Sequence, residues 1–224
     1  MVHFPEIPTD ISERLEQILN LSWKVFLNQY INYKYDINLE APFQLHFASI
    51  LKRIGEIYCI KKYELFIVDL EVTLDDQTKN YVDIVTSLYD KESDMEFLVP
   101  IELKYKTRKQ SAEDVGAMDV YKDLYRLEQI KSGKYKDKKE IPFSYFFFIT
   151  DDHLYVNKPR SGLRTIFKTY DGATIQKDYE YKYLQSKTGK DYFKKNGEFV
   201  FKSNYKFSWS KSKNNSRWFL KLKI

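Results

Sequence analysis

The 224-residue chain has 37 Lys and Arg against 32 Asp and Glu, with 43% hydrophobic and 31% charged residues. This is a globular balance, with enough chain to bury a core without covalent staples. One cysteine, Cys59, rules out an intramolecular disulfide and a cysteine-based zinc site, and His3, His46 and His153 are too scattered for a zinc cluster. No stretch reaches the roughly 18 apolar residues that cross a bilayer. The start MVHFPEIPTD lacks the basic and apolar regions of a signal peptide, so the chain is expected in the cytoplasm, away from membranes.

The spacing predicts a first helix from near Asp10. Asp10 and Glu13 fit a capping box, and Ile11, Leu15, Ile18 and Leu19 recur at helical spacing. A second helix is predicted over about Glu40 to Glu56, with Phe43, Phe47, Ile50, Leu51 and Ile54 as its apolar stripe. Three β-rich segments follow, at Tyr63 to Leu74, Tyr81 to Tyr89 and Glu96 to Tyr105. A helix is predicted from about Glu113 to Lys131, then a charged loop to Glu140, then a strand over Phe143 to Thr150 that is apolar on both sides. Short strands and loops are expected from there to Trp218–Ile224. The order predicts a mixed α/β sheet. No linker divides the chain, so it reads as one domain. Residues 1–38 form an N-terminal helical region, 39–157 a core, and 158–224 a C-terminal elaboration.

Charge is unevenly placed. Lys158 to Ile224 carries 17 Lys and Arg against 5 Asp and Glu, while the rest carries 20 against 27. A basic, aromatic-rich third is what a polyanion-binding surface requires, and it also describes a solvated lysine-rich surface. Its aromatics, Tyr181, Tyr183, Tyr192, Phe193, Phe199, Phe201, Trp209 and Trp218, suit either base stacking or a core. Arg160, Arg164 and Arg217 are its candidate phosphate contacts.

Two predicted strands carry acids where strands avoid them. Asp83 sits among Tyr81, Val82, Ile84 and Val85, and Glu102 among Val99, Ile101 and Leu103. Glu102 and Lys104, two apart, project from one face of their strand. Pairing the two strands would bring both carboxylates together as oxygen ligands for Mg²⁺ or Mn²⁺, with Lys104 in reach. Phosphodiester hydrolysis needs an activated water, neutralised phosphate charge and a stabilised leaving oxygen. A divalent ion on carboxylates supplies these, and a lysine positions the water or stabilises charge. The spacing alone also fits an edge-strand ion pair.

In this context the stretch from Glu40 to about Asp152 resembles the core of the PD-(D/E)xK, restriction-endonuclease-like nucleases. The segment VPIELKYKT (Val99 to Thr107) is similar to their Glu-x-Lys strand, and Tyr81 to Val85 to the strand with the first acid. The stretch Asp119 to Glu128 resembles the helix that follows, and Phe146 to Asp152 the next core strand. Val82 stands where the family pattern has proline.

The resemblance implies a core ordered α-β-β-β-α-β and a Mg²⁺-dependent endonuclease (restriction, defence or mobile-element type) acting on DNA, duplex favoured, with RNA as the other candidate. Asp83 and Glu102 would be metal ligands, the Leu103 carbonyl a third, and Lys104 the catalytic lysine. Glu40, with Gln44 one turn on, would add to the metal site, although Glu40 also fits an acid favoured by the helix dipole. Asp119, Asp123 and Arg126 share a helix side at i, i+4 and i+7. They would support the site or form an ion-pair ladder, and Arg126 would otherwise reach a phosphate. Lys106, Arg108 and Lys109 follow the active strand as phosphate contacts or as solvated ends. One site cuts one strand, so a homodimer is the natural cutter of a duplex. The alternative is a catalytically silent nucleic-acid-binding module on the same fold.

Overall fold

The computed structural model describes residues 6–74, 81–110, 113–133, 139–213 and 217–224. In chain order the elements are α1 (Ile11–Ile31), α2 (Glu40–Ile57), β1 (Glu64–Thr73), β2 (Tyr81–Asp90), β3 (Met95–Lys106), α3 (Glu113–Ser132), β4 (Lys139–Glu140) and β5 (Tyr145–Thr150). There follow β6 (Thr174–Ile175), β7 (Glu180–Tyr181), α4 (Lys187–Asn196), β8 (Phe199–Val200), β9 (Tyr205–Lys206), β10 (Trp209–Lys211) and β11 (Trp218–Lys223). The chain is therefore mixed α/β; α2, β1, β2, β3 and α3 follow one another as expected, and the short β4 comes between α3 and β5. Among the described residues no helix is long and apolar enough to cross a membrane. The charged segment after α3 lies largely outside the described residues.

The chain forms two compact units, Met1–Ile101 with Gly133–Ser144, and Glu102–Ser132 with Tyr145–Ile224. In the first, Asp10 caps α1 by accepting from the Glu13 N–H at 2.8 Å. The apolar faces of α1 and α2 meet through Trp23, Phe26, Phe43 and Phe47, which are buried and in ring contact. Arg14 is also buried, and its guanidinium donates to the buried Glu64 carboxylate at 2.6 Å. β1 pairs antiparallel with β2 and β2 antiparallel with β3, while β4 runs parallel to β3. The sheet is thus mixed.

β3 passes from the first unit into the second between Ile101 and Glu102. In the second unit the strand order is β3, β5, β11, β10, with β11 antiparallel to both β5 and β10. β5 is buried at every position, as expected for a strand covered on both faces. One face of α3 (Ala117, Val120, Tyr121, Leu124, Leu127) joins a core with Phe146, Phe148, Leu220 and Leu222. Most of the C-terminal aromatics close this core. Tyr181, Phe193, Phe199 and Phe201 are buried in it, and Tyr183, Tyr192 and Trp209 pack against it.

The C-terminal region was expected as strands and loops but also contains α4. Ser186 caps it by accepting from the Gly189 N–H, and Gly197 at φ 70 ends it. Gly189 is required by close approach: a Cβ there would lie 2.3 Å from the Tyr183 carbonyl oxygen.

Candidate functional site

The second unit gathers four charged side chains from β3 and α3. The two-residue period of β3 puts Glu102 and Lys104 on one face, and the helical period of α3 presents Asp123 and Arg126 one turn apart. Lys104 Nζ lies 2.8 Å from Asp123 Oδ2. Arg126 Nη2 sits on Glu102 Oε1 and lies 3.8 Å from Asp123 Oδ1. Glu102 is 2% exposed and Asp123 4%. Two buried acids and two half-buried bases thus form a charge-balanced quartet, in which each carboxylate has a cation beside it. Burial of unpaired charge would be very costly, so the balance is what allows the cluster inside the unit.

One turn before Asp123, Asp119 accepts from the Tyr192 hydroxyl at 2.9 Å and pairs with Lys122 at 3.6 Å. Burial pushes the Tyr192 hydroxyl well above its ordinary range, and the Asp119 charge pushes it further. This contact ties α4 to α3. The expected ladder along α3 is only part of the arrangement. Asp123 reaches Lys104 of β3 as well as Arg126, and Asp119 turns to α4.

In the first unit, Asp83 is half-buried on β2. The Gln44 amide donates to the Asp83 backbone carbonyl at 2.6 Å and to Glu71 Oε1 at 2.8 Å. Gln44 therefore contacts the Asp83 segment as well as sharing a helix side with Glu40, the first residue of α2. Glu71 was not anticipated. It sits on β1 at φ 52, between the register pairs Leu70–Ile84 and Val72–Val82. A non-glycine residue in the left-handed region within a strand marks local strain. Its sequence, an exposed acid in an alternating strand, gives no signal of this. Ile84 and Ile101 are register partners, and Asp83 and Glu102 are their chain neighbours.

The candidate phosphate contacts divide into two sets. Arg108, Lys109 and Arg160 are exposed, and Lys106 is half-buried at the end of β3. Arg164 donates to the Leu154 carbonyl at 2.6 Å and lies 3.5 Å from Asp114. Arg217 pairs with Asp151 at 2.7 Å and lies over the Tyr105 ring. Asp151 also accepts from the Arg108 backbone N–H at 2.8 Å, and Asp152 caps the following turn through the Leu154 N–H. Arg164 and Arg217 thus already serve internal contacts. His46 stacks on Tyr35, and burial pushes the Cys59 thiol above its usual range. Both suit packing roles.

Among the described residues no group of three or more His, Cys, Asp or Glu side chains is arranged to hold a metal ion. The chemistry of the proposed donors suits a hard divalent ion nonetheless, since they are carboxylate and carbonyl oxygens. The Glu102 carboxylate is paired with the Arg126 guanidinium in this structure. Comparison with protein-family models, with curated proteins and with solved structures finds no match to this chain.

Proposed function

We propose that the chain is a metal-dependent nuclease of restriction-endonuclease-like fold that hydrolyses DNA phosphodiester bonds as an endonuclease. The observation that carries this reading is the largely buried quartet around Glu102 and Lys104. An acid and a lysine two apart on one strand face are supported there by a helix that supplies the opposite charges. Asp83 and Glu102, with the Leu103 carbonyl, are the proposed ligands for Mg²⁺ or Mn²⁺, with Glu40 as an added acid. When bound, such an ion supplies an activated water and neutralises phosphate charge.

Lys104 is the proposed catalytic lysine, which orients the attacking water or stabilises charge on the phosphate as the bond to the leaving oxygen breaks. Asp123 sets the position of its ammonium group. Gln44 holds the Asp83 strand segment through the backbone carbonyl. Lys106, Arg108, Lys109 and Arg160 are the proposed contacts to the nucleic-acid backbone, which position the substrate without reading its sequence. A duplex is the favoured substrate and a homodimer the form that cuts it.

The test is cleavage of supercoiled plasmid and of labelled single strands, DNA and RNA, with Mg²⁺ or Mn²⁺ against EDTA. Metal-dependent nicking or linearisation that is lost in Lys104→Ala is expected. Absence of cleavage together with absence of calorimetric Mn²⁺ binding refutes the reading. One observation favours a second reading, a silent nucleic-acid-binding module: Arg126 already neutralises Glu102. That module would bind DNA with a steep salt dependence, unaffected by EDTA and without cleavage.

A further inference from the structure

We propose that the outward face of α4 docks the sugar-phosphate backbone of a DNA duplex, with Lys187, Lys190 and Lys194 as its phosphate contacts and Lys195 at its edge. This rests on the nucleic-acid part of the reading above and on no metal site.

The two sides of α4 differ sharply. Gly189 and Phe193 are buried, and Tyr192 and Asn196 are half-buried, at helical spacing. Phe193 stacks on Phe167 with ring centroids 5.7 Å apart, and Tyr192 donates to Asp119 of α3. A helix of 10 residues is marginal alone, so these anchors fix its outward side in place. That side carries Lys187, Thr188, Lys190, Asp191, Lys194 and Lys195, all exposed. Four lysines against one aspartate leave it at +3.

The fold gains little from this row. Among the described residues the four lysines form no ion pair, whereas Lys182, just before the helix, pairs with Glu180 and Glu198. Lysines at i, i+3 and i+7 repel one another. Lys187 also stands in the first turn, where the helix dipole favours an acid.

The composition of the face points to its partner. Protein interfaces favour aromatic residues and are depleted in lysine. A helix that lies on a membrane needs an apolar side free to enter it. The exposed side of α4 has no large apolar residue, because Phe193 belongs to the core. A row of lysines alone suits a regular polyanion. Lys187 and Lys194 lie about 10 Å apart along the helix, at about 1.5 Å per residue. One strand of a duplex presents a phosphate about every 3.4 Å of axis, so the three lysines can meet about three phosphates. Such contacts set affinity and orientation without reading base sequence.

The test is binding of the full chain to labelled DNA duplexes of two unrelated sequences, followed by fluorescence anisotropy in EDTA over a salt series. The variants are K187Q/K190Q/K194Q, K187R/K190R/K194R and Asp191→Asn. All four positions are exposed, so folding should be unaffected, and urea unfolding checks this. Loss of three contacts should lower the salt slope by about 2.7 and weaken binding by about two orders of magnitude at about 0.1 M salt, equally for both sequences. The arginine variant should bind as wild type does. Asp191→Asn removes the one negative charge of the face and should bind several-fold more tightly. An unchanged slope and affinity in the glutamine variant overturns the proposal, as does a loss confined to one sequence. Wild type that binds phosphatidylserine vesicles and no DNA overturns it too. Metal-dependent cleavage with a slope indifferent to α4 overturns the α4 surface alone. Binding that depends on α4, without cleavage or calorimetric Mn²⁺ binding, upholds that surface and overturns the nuclease reading.

Discussion

The Lys104–Asp123 pair allows a double-mutant cycle that separates charge pairing from packing. Asp123→Leu would leave Lys104 and Arg126 with Glu102 as the one remaining acid of the quartet. Deleting one partner of a buried pair strands the other, and about 3–5 kcal/mol is the expected cost. Lys104→Met is milder, because Arg126 lies 3.8 Å from Asp123 and can take over its charge. A loss of roughly 1–2 kcal/mol follows from a largely compensated deletion. The double variant Lys104→Met/Asp123→Leu keeps the balanced Glu102–Arg126 pair in an apolar setting, and should fall within about 1 kcal/mol of wild type. The coupling would then be at least about 3 kcal/mol, at or above the upper end for residues that touch. Urea unfolding followed by tryptophan fluorescence and by far-ultraviolet circular dichroism gives the four stabilities. Additive losses, with the double variant as unstable as the summed singles, would refute the pairing argument. Cleavage should be absent in both Lys104 variants, so the double variant separates a restored fold from a restored site.

Three other perturbations test particular interactions. Burial pushes the Glu64 carboxyl up, but hydrogen bonds from Arg14 and from the Lys61 and Ile60 N–H groups outweigh it and hold the pKa below its usual value. Its stabilising contribution is therefore full above the unfolded value of about 4.3 and is lost as pH falls through the lower folded value. Glu64→Gln should cost about 3 kcal/mol at pH 7, and in acid titrations the gap to wild type should narrow below about pH 4. Glu128 accepts from the Lys202 and Ser203 N–H groups and from the Tyr205 hydroxyl at 2.6 Å. Tyr205→Phe should cost about 1 kcal/mol and Glu128→Ala about 2–4 kcal/mol, read by urea unfolding. Lys187, Lys190 and Lys194 are exposed along one side of α4. Their joint change to Glu should weaken DNA binding in EDTA and lower the salt slope by about 0.9 for each phosphate that is no longer neutralised; an unchanged slope places the DNA elsewhere.

What could be read in advance followed from periodicity and capping. The α1 start was legible because Asp10 and Glu13 sit in a capping pattern before an apolar stripe, and the structure contains that cap. β5 was legible because six residues apolar on both sides have few other places to go. α4 was missed although Ser186 and Gly197 are conventional end signals. A glycine in its third position and four lysines leave Tyr192 and Phe193 as its only large apolar residues, so no stripe appears. At the site, the shared face of Glu102 and Lys104 follows from the strand period alone. The partners of those residues did not. Whether Asp123 meets Lys104 or Arg126 depends on how α3 packs on its strand, which sequence spacing along a helix does not encode. Glu71 lay further out of reach, since its left-handed backbone is imposed by neighbouring structure rather than by its own preference.

The contrast between Glu128 and Glu102 bears on what the quartet is for. Glu128 is a buried acid with a structural task, and among the described residues backbone N–H groups and a tyrosine hydroxyl meet its needs without a cation. It joins α3 to the Lys202–Tyr205 segment at the cost of one charge. The Glu102 cluster instead buries or half-buries four charges beside a core made largely of aromatic and aliphatic side chains. Apolar residues of similar volume in place of a buried ion pair are often neutral or stabilising. Fold stability is thus a weak reason for keeping four charged side chains there. A reason drawn from chemistry requires groups that can exchange partners, and Asp123 already lies near both cations of the quartet. A poised site predicts that Lys104→Met loses metal-dependent cleavage at a stability cost of only about 1–2 kcal/mol, whereas a structural clamp predicts no cleavage by wild type to lose.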